Sequence, residues 1–111
     1  MKTEQPILIT SIQAKSDLSA SKNLLIGFDG DICGAASKCL GVLNANTNVG
    51  EEAPVVAQGI ALVKSGAAIA EGAQVECDAA GKVVTKSLGV TIGYALDTAN
   101  GADELIRVLL T

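Results

Sequence analysis

The spacing of glycine is the feature that most limits how this chain folds. All twelve glycines follow Leu24, and they divide the sequence into short runs rich in Val, Leu and Ile. Runs of about five residues with turn signals every 8–12 residues are typical of a β-sandwich or β-barrel. We therefore predict a mostly β body over residues 24–111, with a tight hairpin turn at residues 78–81. The predicted strands are residues 24–28, 38–43, 54–58, 60–64, 73–77, 82–85, 90–96 and 105–110.

The body also repeats its pattern after about fifty residues. Residues 40–43 and 92–96 each carry a glycine at their second position, and each is followed by a polar loop, an acidic turn and another apolar run. Further upstream, residues 31–33 and 74–76 occupy similar places in the pattern. This periodicity predicts that a duplicated β unit closes one barrel.

Residues 1–23 differ from the body because they contain no glycine and are rich in Lys, Ser, Thr and Gln. We interpret them as an N-terminal arm, with a short helical turn over residues 14–22. Such an arm would tune affinity for a partner without holding the fold together. Its apolar patch is the predicted contact site, although an ordinary edge strand of the barrel stays open as an alternative. The predicted contact residues are Pro6, Ile7, Leu8, Ile9 and Ile12.

Charge and hydropathy argue against two classes of partner. The net charge is −4, and the eight basic residues are scattered singly along the chain. Phosphate backbones and anionic lipids therefore repel the domain, so we predict neither nucleic-acid nor membrane binding. No apolar run approaches the ~20 residues of a membrane span, and no signal-peptide pattern opens the chain. We expect a protein that is made in the cytoplasm and is soluble.

Catalytic chemistry finds little support in the sequence. The chain has no His, which excludes Ser-His and Cys-His catalysis and removes the usual proton carrier at neutral pH. Neither of the glycine-rich phosphate-binding motifs occurs. Asp29 and Asp31 could share one face of a strand, but no further ligand follows at a metal-loop spacing, so we interpret them as part of a polar turn. We predict a protein that is not an enzyme, with no catalytic residue and no cofactor.

Cys33, Cys39 and Cys77 make an odd number, and their spacing contains no C-x-x-C motif. Without His, a tetrahedral zinc site would be one ligand short. We predict three buried free thiols and no metal site.

The segment GIALVKSGAAIAEGAQV, residues 59–75, leads into DAAGKVV, residues 78–84. Together with residues 92–96 and the closing run 105–110, it resembles the capsid decoration, or cement, proteins of tailed bacteriophages over residues 24–111. The resemblance implies a β-barrel or tulip-like body on the outer surface of the virion capsid. It further implies the major capsid protein as partner, homo-oligomers that are often trimers, and neither catalysis nor a cofactor. An N-terminal arm commonly reaches across the capsid in such proteins.

Two other interpretations of the function stay open. The first is a carrier or small-ligand-binding β domain, because residues 63–75 also resemble the turn-and-strand pattern of biotinyl and lipoyl domains, although Lys82 and Lys86 lack the setting of a modified lysine. A tail or baseplate structural module is the second alternative. We predict a head decoration protein that stabilises the shell by bridging neighbouring major capsid subunits, made in the host cytoplasm and located on the capsid exterior.

Overall fold

The computed structural model describes residues 2–111, and within them the chain forms eight β-strands and no helix. The mostly β prediction is therefore confirmed. The predicted helical turn over residues 14–22 is wrong, because this segment is a loop whose Leu18 pairs with Thr47 through two backbone hydrogen bonds. No helix among residues 2–111 could span a membrane. The strands are β1 (Gln5–Gln13), β2 (Leu25–Ile26), β3 (Gly41–Leu43), β4 (Glu52–Lys64), β5 (Gln74–Cys77), β6 (Val83–Thr85), β7 (Gly93–Ala95) and β8 (Leu105–Leu110).

All eight strands belong to one antiparallel sheet that curls towards a closed barrel. The order across the sheet is β2-β3-β4-β8-β7-β5-β6, and β1 pairs with β4 off this path. A bridge between Ser65, just beyond β4, and Val83 on β6 brings the far edge of the sheet back towards its centre. The predicted barrel-like body is thus confirmed, and β4 is the strand on which it depends.

β4 merges two predicted strands, residues 54–58 and 60–64, into one strand of thirteen residues. Gly59 lies between them with φ +103°, a backbone conformation that L side chains rarely adopt. This irregularity shifts the alternation of the strand by one residue. As a result, Val56 before the glycine and Val63 after it lie in the same core cluster.

The core has two parts, on opposite faces of β4. The larger cluster includes Val56, Val63 and the strands of the second half of the chain. The smaller cluster includes Val55 and Leu18, with Ile12 packed against it. The first half of β4 is therefore buried on both faces, which is why its sequence is apolar without a simple period of two.

The two halves of the chain repeat the same strand pairing. The last five residues of β1 pair with the first half of β4. This pairing corresponds, residue for residue, to the pairing of the second half of β4 with β8. Equivalent pairs are Gln13↔Glu52 with Lys64↔Leu105, Ile12↔Ala53 with Val63↔Ile106, Ser11↔Pro54 with Leu62↔Arg107, Thr10↔Val55 with Ala61↔Val108, and Ile9↔Val56 with Ile60↔Leu109.

Two further strand pairs repeat as well. The pairing of β2 with β3 matches that of β5 with β7, so Leu25↔Val42 corresponds to Gln74↔Tyr94. The isolated bridge Leu18↔Thr47 likewise recurs as Ile69↔Ala99. The duplication is therefore present in the structure. The predicted upstream match was wrong, however: residues 25–26, rather than 31–33, are the counterparts of residues 74–75.

One pair of glycines provides a test of the duplication. A Cβ added at Gly41 would collide with the backbone carbonyl of Val56, and one added at Gly93 would collide with that of Leu109. We expect Gly41→Ala and Gly93→Ala each to lower the free energy of unfolding by about 1–3 kcal/mol, because two equivalent strand pairs must move apart. Urea denaturation measures the change.

Gly101→Ala is the matched control, since a Cβ there would meet no atom within 4 Å. We expect it to leave the unfolding midpoint nearly unchanged. If only one of Gly41→Ala and Gly93→Ala were destabilising, the two strand pairs would not be equivalent.

Candidate functional site

β1 lies at an edge of the sheet. Over the residues that the structure describes, it pairs with β4 alone, and β3 and β8 pair with the opposite edge of β4. The outer backbone edge of β1 is therefore free. Such an edge can accept a strand from a partner, or it can be protected from doing so by proline and bulges.

Most of the predicted contact residues lie together at the start of this edge strand. Ile7 is 81% exposed, and Leu8 and Ile9 are each 46% exposed. Pro6 is also exposed, and the pairing with β4 shifts register on both sides of Leu8. We call Pro6, Ile7, Leu8 and Ile9 the β1 patch. Its proline and register shifts disfavour a regular added strand, so its apolar side chains are its main means of contact.

The fifth predicted residue, Ile12, has a different environment. It is half-buried and packs against the smaller core cluster. Ala14 and Leu18, which also belong to the predicted arm, are members of that cluster. Residues 5–18 are thus fixed to the body by pairing and by burial. The division of the chain into an arm over residues 1–23 and a body over residues 24–111 stays a prediction.

A second apolar surface lies on the outer face of the second half. Ile60, Leu109 and Tyr94 are cross-strand neighbours, so their side chains share one face of the sheet. Tyr94 is 39% exposed and Leu109 is 43% exposed. We call these three residues the sheet-face row. This row was not identified from the sequence. Its one sequence signal is Tyr94, the single tyrosine of the chain, which lies on a short predicted strand.

The duplication explains why the sheet-face row is exposed. Its counterparts in the first half are Ile9, Val56 and Val42, by the equivalence of the strand pairs. Val56 and Val42 are buried in the larger core cluster, which belongs mostly to the second half. The second half therefore covers this face of the first half, whereas its own equivalent face remains open to solvent.

An ion pair lies beside the sheet-face row. Asp97 accepts hydrogen bonds from the backbone N–H of Arg107 at 2.9 Å, from Nε at 3.1 Å and from Nη2 at 2.9 Å. These bonds to Arg107 lower the pKa of Asp97 to about 2. The pair therefore keeps its charges at neutral pH and fixes the 96–98 segment against β8.

The three cysteines are brought together, and the prediction of three free thiols is wrong. Cys33 and Cys39 form a disulfide with a Cα–Cα distance of 5.8 Å, and Cys77 is a buried free thiol. The exposed 34–38 loop turns back on itself, with Ser37 N donating to Gly34 O at 3.2 Å, and this returns Cys39 to Cys33. The odd number of cysteines did not indicate that two of them, six residues apart, form a disulfide.

The other chemical candidates have structural roles. Asp31 accepts hydrogen bonds from Ser16 Oγ at 2.6 Å and from the backbone N–H of Ile32 at 2.8 Å, and these bonds lower its pKa. The Asp29 carboxylate accepts a bond from the backbone N–H of Asp31, as a polar turn requires. Lys82, considered for a carrier domain, is only 27% exposed and forms an ion pair with Asp103.

The position of β1 generates a prediction about folding. A chain that begins at Ser21 lacks β1 and the buried side chain of Leu18, so it should melt roughly 10 °C or more below the full chain. A chain that begins at Glu4 keeps both and should melt like the full chain. Calorimetry compares the three proteins. Equal melting of the full chain and the chain from Ser21 would mean that residues 1–20 are a dispensable arm.

Comparison with known proteins identifies a matching family and a similar solved structure. The chain matches the family model described as phage cement protein over residues 1–110. It is also similar to the crystal structure of the N base of head fiber gp8.5 in bacteriophage phi29, with a TM-score of 0.74 and 18% sequence identity, covering 94% of this chain and 93% of that one. No curated protein matches the chain. Because the family model spans nearly all of its length, the chain belongs to the phage cement protein family.

Proposed function

We propose that this protein binds the outer surface of a phage head and stabilises the shell by bridging neighbouring major capsid subunits. The observation that carries the proposal is the β1 patch, an apolar surface held in place on an edge strand. Membership of the phage cement protein family supports a structural role in the virion. We expect no catalytic activity and no cofactor.

β1 is already structured in the free protein, and this favours tight binding to the phage head. Ile7, which is mostly exposed, and Leu8 and Ile9, which are about half exposed, could together contribute on the order of 3–5 kcal/mol if a partner buried them fully. A free arm would lose much of this in ordering its backbone. β1 is already paired with β4 along its length, so that cost falls on folding rather than on binding.

Bridging requires more than one contact per copy. The β1 patch lies on the edge strand of the first half, whereas the sheet-face row lies on β4, β7 and β8. We propose that the row mediates self-association, in the trimer that the family resemblance implies. Linked copies would then hold several capsid subunits at once, and many modest contacts would act together.

A tail or baseplate module would use the same surfaces, and no observation favours it.

The β1 patch can be tested by a single substitution. Ile7→Ser removes the most exposed apolar side chain of the patch, so it should weaken binding to undecorated heads by about tenfold or more while leaving the melting temperature unchanged. Co-sedimentation of labelled protein with the heads, over a range of concentrations, measures the affinity.

Leu88→Ser is the matched control, because Leu88 is 98% exposed on the loop between β6 and β7, away from β1 in sequence and pairing. It should bind like the unchanged protein. Weakened binding by Leu88→Ser with normal binding by Ile7→Ser would transfer the contact surface to that loop and refute the proposed role of β1.

The sheet-face row makes a separate prediction. The double substitution Tyr94→Ser with Leu109→Ser should convert a trimer into a monomer, since it removes two of the three apolar side chains that would be buried between copies. Analytical ultracentrifugation, alone and after release from heads, measures the oligomeric state. Val49→Ser, at a site that is 61% exposed on the loop before β4, is the control. A protein that is monomeric both free and on heads would contradict self-association.

A further inference from the structure

The three cysteine sulfurs form a compact group. Cys33, Cys39 and Cys77 are 2%, 4% and 1% exposed, and their Sγ atoms all lie within 4.8 Å of one another. They come from three different places: the loop after β2, the residue two before β3, and the end of β5. Two of the sulfurs form the disulfide and the third is free, so reduction leaves three thiols facing one another.

The shape of this group fits one kind of metal ion. With metal–sulfur bonds of about 2.3 Å, three thiolates in a plane around one ion lie about 4.0 Å apart. The observed sulfurs fall within reach of this spacing once the disulfide is open. The 34–38 loop that joins Cys33 to Cys39 is exposed throughout, so it can accommodate the small separation of these two sulfurs.

The donor set distinguishes between metals. No carboxylate of residues 2–111 joins the three sulfurs, and the sequence contains no His. Structural Zn²⁺ almost always has four ligands, so this set is one short for zinc. Thiolate ligands alone select soft ions, of which Cu(I) accepts three sulfurs without a fourth ligand.

We propose that the reduced protein binds one soft, thiophilic metal ion of the Cu(I) class through Cys33, Cys39 and Cys77. The site ties the 33–39 segment of the first half to β5 of the second half. The disulfide form is the alternative state of the same residues, in which two of the three ligands are bonded to each other.

The chemistry balances with a thiol reductant. Two reductant thiols give two electrons and two protons to the Cys33–Cys39 bond and become a disulfide, which leaves three protein thiols. The Cu(I) ion then forms three metal–sulfur bonds and displaces three protons to solvent. Burial raises the pKa of Cys77 to about 12, with Asp78 adding to the effect, so this thiol stays protonated until a metal replaces the proton. For the same reason its attack on the neighbouring disulfide is slow.

A competition experiment tests the site. The full chain is reduced, freed of reductant without oxygen, and titrated against the coloured complex of Cu(I) with bicinchoninate. We expect colour to be lost with an end point of one ion per chain, and no loss with the disulfide form. Cys77→Ser and Cys33→Ser should lose this end point. Ser37→Ala, in the same loop, should keep it because only a backbone carbonyl of Ser37 approaches the sulfurs.

X-ray absorption of the unchanged protein decides the outcome if a cysteine variant fails to fold. Three sulfur neighbours around copper at about 2.3 Å are the expected result. Two sulfur neighbours, an absence of uptake by the reduced chain, or an undiminished end point in Cys77→Ser would each overturn the proposal.

Discussion

The double burial of β4 is the constraint on which the rest of the structure depends. Its first half is packed on both faces, by Val56 into the larger core cluster and by Val55 into the smaller one. Gly59 then shifts the alternation, so Val63 turns towards the same cluster as Val56. One continuous strand therefore serves as the last strand of the first half and the first strand of the second. This shared strand joins two copies of a small β unit into one body, which neither could form alone.

The asymmetry between the copies produces the candidate surfaces. One sheet face of the first half is covered by core residues of the second half. The equivalent face of the second half, with Tyr94 and Leu109, is open to solvent. The first strand of the first half, β1, corresponds to the second half of β4, and it is an edge strand that exposes Ile7. The molecule therefore presents one unpaired strand edge and one uncovered sheet face. Both are suited to protein partners, in agreement with membership of the phage cement protein family.

The sequence could predict the all-β class, most strands and the repeat, because glycine spacing and β-branched runs are local signals. The turn at residues 78–81 was also predictable, and Gly81 has φ +79°. What the sequence could not predict depends on contacts between distant residues. The placement of β1 against β4, the burial of Leu18 and the Cys33–Cys39 bond follow from the path of the chain through space. The patch at residues 6–9 was recognisable because apolar residues stand out in a polar segment, whereas Tyr94 and Leu109 become neighbours only through the pairing of β7 with β8.

The central claim is that an edge strand already fixed to the body carries the contact with the phage head. Hydrogen–deuterium exchange, measured on the free protein and on protein bound to heads, tests this most directly. The account predicts that exchange within residues 5–13 slows on binding, while the loop at residues 86–90, where Leu88 is exposed, keeps the same exchange rate in both states. Unchanged exchange in residues 5–13, with new protection in that loop, would contradict it.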